Sequence, residues 1–219
     1  MRTEELIGRL AGDLTPVRPM APPGRQAAGW LAAAAAAIGI TVALEGFRQD
    51  LAQRIALPHE VALWLASVAV GVTSAFAAAM LARPDRPWRW ALLPVVPLVA
   101  WLGSLGWGCA ADLARLGLRA LEPGASWGCL GYIVLLGSPL TAALLVLLRH
   151  AGPVRPTPVL ALSGLAAAAL CSAGLSLFHH LDATLEVLIW HGGAIALVVL
   201  LGRLLGRPLL LPAPAALPR

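Results

Sequence analysis

The chain has 219 residues, of which 59% are hydrophobic and only 12% charged, with a mean hydropathy of +0.80. A soluble domain of this length carries roughly 25% charged residues, so this composition excludes an ordinary water-solvated globule and makes lipid the natural solvent for most of the chain. All 16 basic residues are arginine and the formal net charge is +5, yet no dense basic patch exists; the charges sort by loop, as in a multi-span protein, which excludes direct nucleic-acid binding.

Residues 3–14, TEELIGRLAGDL, read as a short amphipathic helix. Thr3 can cap it, and Glu4 and Glu5 lie in the first turn, where the helix dipole favours anions. Leu6, Ile7, Leu10 and Leu14 share one face, and Pro16 stops the helix. The linker 16–25, PVRPMAPPGR, is stiff and extended. A helix this short is marginal alone in water. Two readings stand: an interfacial helix lying on the membrane, or a recognition peptide that orders on a cytoplasmic partner.

Apolar blocks follow at about 27–45, 60–82, 89–108, 129–148, 158–178 and 187–206. Each is long enough, at about 1.5 Å per residue, to cross or nearly cross a hydrocarbon core of about 30 Å. The first lies behind 25 residues that include Glu4, Glu5 and Asp13. That is unlike a secretory signal, so it is expected to be a retained span. The fold class expected is an all-α integral membrane protein. A cytoplasmic segment 1–25 carries the amphipathic helix, a six-helix transmembrane domain occupies 26–207, and a disordered cytoplasmic tail occupies 208–219.

Six spans put both termini on one side. Twelve arginines then share that side against four (Arg48, Arg54, Arg115 and Arg119) on the other. The positive-inside rule therefore predicts that both ends are cytoplasmic, and the Ala/Leu/Arg/Pro bias suggests a GC-rich bacterial genome, so the expected location is a bacterial inner membrane. Trp30, Trp88 and Trp90 at inner ends, and Trp64, Trp107, Trp127 and Trp190 at outer ends, read as an aromatic belt; Trp101 lies deeper and reads as a packing residue. The Ala run 32–37 and the Gly202/Gly206 pair are expected to allow close helix contact. Pro94 and Pro97 should kink the third span, and Pro139 the fourth. The loops at 47–58 and 110–122 read as short amphipathic helices on the outer leaflet.

Cys109 and Cys129 flank the loop between the third and fourth spans on the oxidising side, so a disulfide between them is geometrically open. Cys171 lies mid-span and reads as a buried small hydrophobe. His59, His179, His180 and His191 crowd the same outer face. Thiolates and imidazoles together suit a soft metal ion, but no CxxC or HxxxH pair is written. A transient metal or redox sensor and simple interfacial residues both remain open, and no resident cofactor is expected. There is no Ser/His/Asp arrangement, phosphate loop, paired-carboxylate site or mid-membrane acid, so the residues predict a non-enzyme.

The opening stretch 3–17, TEELIGRLAGDLTPV, resembles the "T-D-D-L-I…L-A-x-D…P-V" start of the negative-regulator-of-sigma-F family (NrsF type) of six-span bacterial anti-sigma factors. Gly46-Phe47-Arg48-Gln49-Asp50-Leu51 is similar to that family's G-x-R-x-D-L after the first span. Ser138-Pro139, Trp190-His191 and the closing 202–210 stretch follow in register. The resemblance implies that the N-terminal segment, through Glu4, Glu5, Leu6, Ile7, Leu10, Asp13 and Leu14, binds a cytoplasmic extracytoplasmic-function sigma factor. A periplasmic metal or oxidant stress would release it. It further implies a sensing cysteine at Cys129. The family's second cysteine follows a His at the end of the fifth span, where this chain has His179-His180 instead, which leaves Cys109 as the candidate partner or the signal different. Two other classes stand beside this reading. A membrane thiol oxidoreductase would need a reactive periplasmic CxxC, and a small transporter would need a polar midplane site.

Overall fold

A computed structural model of the chain describes residues 2–12, 20–117, 127–151 and 155–179, together with Gly193, Ala196, Leu197, Leu200 and Leu204. The described residues form helices α1 (Thr3–Gly12), α2 (Pro23–Glu45), α3 (Leu51–Ile55), α4 (Pro58–Leu81), α5 (Val95–Leu116), α6 (Trp127–Leu148) and α7 (Pro156–Leu175). Five helical segments among them are long and apolar enough to cross a bilayer. The expected sixth span falls largely outside the described residues; its five described positions are helical and exposed.

Proline sets three of the starts. Pro23, Pro58 and Pro156 open α2, α4 and α7. Proline is well placed there because the first turn has no intrahelical use for its missing N–H and its φ is already helical. This carries α2 and α4 upstream of the expected 27 and 60. Glycine sets two ends: Gly46 and Gly117 hold φ of 82° and 60°, conformations that a Cβ disfavours, and stop α2 and α5.

The third span departs from expectation. It is a 3-10 helix, Trp88–Leu92, followed by α5. Pro94 caps α5 and Pro97 lies in its first turn, where no N–H is needed, so these prolines divide the segment at its start instead of kinking its middle. At its other end α5 runs on to Leu116. Cys109 is therefore inside a helix, not at its end, and residues 110–116 are no separate surface helix. Pro139 sits within α6, which continues past it.

The core is built around α7. Fourteen of its 20 residues are buried, and it packs most extensively on α4, then α6, then α2. The α4–α7 contact is antiparallel and close. Trp64 Nε1 donates to the Ala173 carbonyl at 3.0 Å, and Ser67 Oγ donates to that of Ala169 at 2.9 Å. At Gly71 an added Cβ would lie 2.6 Å from Leu170 Cγ and 3.3 Å from the Ala166 carbonyl, so only glycine admits this approach. Small residues bring helices together because dispersion and close backbone contact, not exclusion of water, hold apolar helices in an apolar solvent.

Two packing expectations need correction. Within the Ala run 32–37 only Ala34 is buried, and the close contact is made instead by small residues of α4 and α7. Trp30 is not a belt residue: it is buried, and its indole N–H donates to the Leu140 carbonyl of α6 at 2.9 Å. A buried indole needs such an acceptor, and this one ties α2 to α6. Trp101 packs as expected, with Leu105, Ala66, Val70 and Ala169, and Cys171 is fully buried. Trp88 and Trp107 are exposed, as a belt requires.

Candidate functional site

Two regions outside the core carry the sequence-predicted residues. The first is α1, whose residues are all exposed. Glu4 and Glu5 occupy its first turn and Arg9 its last, each complementing the helix dipole. Leu6, Ile7 and Leu10 lie on one face at 41%, 54% and 61% exposure. The backbone N–H of Arg2 donates to Glu5 Oε2 at 3.2 Å, reinforcing the start of the helix. Asp13 and Leu14 lie outside the described residues. Chemically, α1 is a short two-sided helix with an acidic beginning and an exposed apolar face to which no described element docks.

The second region is the end of the bundle where α2 finishes, α4 begins and α7 finishes. The chain turns at Gly46, and Arg48 folds onto the end of α7. Its backbone N–H donates to the Leu177 carbonyl at 3.0 Å, and its Nη1 donates to the His179 carbonyl at 3.0 Å. The guanidinium grips Asp50 with two bonds, Nε to Oδ1 at 2.6 Å and Nη2 to Oδ2 at 2.9 Å. Arg54, one turn after Asp50, pairs with it at 3.4 Å and with Glu60 at 2.7 Å, and His59 lies 3.8 Å from Glu60. The Arg48 side chain is 3% exposed, so its charge is compensated within the protein rather than by water.

Along the sequence Arg48 and Arg54 stand out as charges on the outer side, and Arg48 and Asp50 as part of the family-like stretch 46–51, but the latch they build is not legible there. The signal was present in the R-x-D pair 48/50 and the i,i+4 pair 50/54, but their acceptors at Leu177 and His179 are about 130 residues away.

Hydrogen bonds from Arg48 hold the Asp50 carboxyl well below the ordinary carboxylate range. The direction sets the pH behaviour: a depressed folded-state value stabilises fully above the unfolded pKa near 3.8 and is lost only as pH falls through the lower folded value. The latch should therefore be indifferent to mild acid. The difference in thermal stability between the wild type and Asp50→Asn is expected to stay constant from pH 7 to about pH 4.5; a difference that shrinks across that interval would assign the proton to another group.

The expected sensor residues lie around this latch in part. His179 contributes its backbone carbonyl, and His180 lies outside the described residues. The Tyr132 ring of α6 meets Phe178 edge to face at 5.2 Å, which sets the beginning of α6 beside the end of α7. Cys129 is one turn before Tyr132 in α6. Cys109 lies on α5, which packs against α4. No group of three or more His, Cys, Asp or Glu that could hold a metal ion occurs among the described residues.

The described residues thus form a helical bundle with membrane-length apolar helices, an exposed amphipathic N-terminal helix and a polar latch. The chain belongs to the NrsF family, negative regulator of sigma F, whose model matches residues 10–211. It is thus a member of a family of negative regulators of a sigma factor, and its partner class is a sigma factor. The match begins at Leu10, so it includes Leu10, Asp13 and Leu14 but not Glu4, Glu5, Leu6 and Ile7. No curated protein and no solved structure matches the chain.

Proposed function

We propose that this protein is an inner-membrane anti-sigma factor. It holds an extracytoplasmic-function sigma factor at the membrane through α1 and releases it when the opposite end of the bundle senses stress. The observation that carries the reading is the exposure of Leu6, Ile7 and Leu10 on one face of α1. An amphipathic helix with free apolar anchors is suited to a groove on a partner, and Glu4, Glu5 and Asp13 suit a basic rim around that groove.

Arg25, Arg83, Arg86, Arg89, Arg149 and Arg155 all lie at the end of the bundle that α1 precedes. By the positive-inside rule that end faces the cytoplasm, where a sigma factor is reached. Deleting residues 2–12 should leave the protein in the membrane and raise sigma-dependent transcription to the level of a full knockout. Retained repression by the truncated chain would refute the assignment of α1.

For the input, we propose that an oxidant or soft metal ion acts on Cys109, Cys129, His179 and His180 at the other end. Mass mapping of thiols before and after such treatment is expected to show both cysteines changing state as transcription rises. Full induction with both thiols unaltered would remove them from the mechanism.

A further inference from the structure

At the arginine-rich end three cations converge where α2, α4 and α7 meet. Arg83, two residues past α4, donates from Nη2 to the Ala21 carbonyl ahead of α2 and lies 3.4 Å from Gln26 Oε1. Arg155, directly before α7, donates from Nη1 to the backbone carbonyl of Arg86 at 3.0 Å. The nearby acid is Asp85, whose Oδ2 lies 3.4 Å from Arg86 Nε without hydrogen-bond alignment. Arg83 Nη1 and Arg86 Nε are enclosed and find no acceptor among the described residues. Burial, with repulsion from Arg86, pushes Arg83 below the ordinary guanidinium range even though Asp85 opposes the shift.

The acceptors in use here are mostly neutral carbonyls, which satisfy single N–H groups but do not cancel charge. Among the described residues, three guanidinium groups against one carboxylate therefore leave excess positive charge at this corner. Guanidinium forks match the spacing of phosphate oxygens, and basic pockets between membrane helices take phosphate headgroups. A positively charged rim in general attracts anions diffusely. This corner differs in that two helix ends are cross-tied by the same residues that carry unsatisfied donors.

We infer that Arg83, Arg86 and Arg155 form a binding site for a phosphate group, presented by an anionic phospholipid or as free phosphate. An occupant would supply acceptors for the unpartnered donors and join the ends of α4 and α7, the two helices at the centre of the bundle. The site is independent of the partner held by α1.

The test uses the full chain reconstituted in phosphatidylcholine vesicles alone, with added phosphatidylglycerol, or with added inorganic phosphate. Binding is read from retained lipid by native mass spectrometry and from the shift in Tm. Arg86→Gln and Arg155→Gln are each expected to weaken binding about fivefold, whereas Arg89→Gln and Arg149→Gln, at the same end but outside the corner, should leave it unchanged. Arg83 is left intact because it fastens the start of α2. If Arg155→Gln fails to fold, Arg86→Gln alone decides. Stabilisation by phosphatidylglycerol alone identifies the lipid as the source, and stabilisation by inorganic phosphate identifies the free anion. Equal losses at all four arginines would reveal only a diffuse surface charge and overturn the inference, as would absence of binding by both probes.

Discussion

Replacing Leu6 and Leu10 together with aspartate is expected to abolish capture of the sigma factor while leaving the bundle folded. Both leucines are exposed and none of α1 is buried, so the change removes nothing from the core. Each apolar anchor of a helix docked in a groove contributes about 2 kcal/mol. Losing two, and adding charge that must be desolvated, should weaken binding about a thousandfold. Co-purification of the sigma factor with tagged protein would fall to background, and a sigma-dependent reporter would become constitutive. The membrane content and Tm of the variant should match the wild type. Undiminished co-purification would mean that the partner is held elsewhere.

Arg48→Ala should have the second large effect, and in the same direction by another route. The guanidinium joins two separate pieces of chain: the turn after α2, through the Asp50 carboxylate, and the chain beyond α7, through the His179 carbonyl. Its removal leaves the Asp50 carboxylate without its principal partner and the His179 carbonyl without this donor, at the end of the helix around which the core is arranged. Hydrogen bonds to charged groups are among the stronger ones, so Tm in detergent should fall by about 5 °C. If this end is the sensing end, the variant should also show raised sigma activity without any stimulus. Arg48→Lys keeps the charge but cannot reproduce the two-pronged grip on Asp50 and is expected to restore only part of the loss. A variant with lowered Tm but normal repression and normal induction would make the latch purely architectural.

Much of this architecture is readable along the chain. Membrane-length helices follow from unbroken apolar runs between prolines and arginines, because burial of backbone polar groups in an apolar solvent leaves helix as the solution for a single segment. The amphipathic character of α1 is equally local: side chains three and four apart share a face whatever the rest of the protein does. The family's motifs, too, are local strings, and the match over 10–211 agrees with the resemblance they suggest. Helix ends were less legible. Pro94 lies where a kink was expected and instead separates a 3-10 helix from α5, since the effect of a proline depends on whether it falls in the first turn or the middle.

What the amino-acid order determined by itself was the membrane-length apolar helices and the two-faced N-terminal segment, both of which depend on neighbours within a turn or two. Only the tertiary structure decided that α7 is the central helix, that Trp30 points inward to Leu140, and that Arg48 closes on the chain beyond Leu175. The physical reason is common to all three. In a chain whose helices are apolar on every side, hydrophobic periodicity no longer marks an inner face. The inner face is then chosen by small-residue fit, as at Gly71 against Leu170, and by hydrogen bonds between residues more than a hundred positions apart.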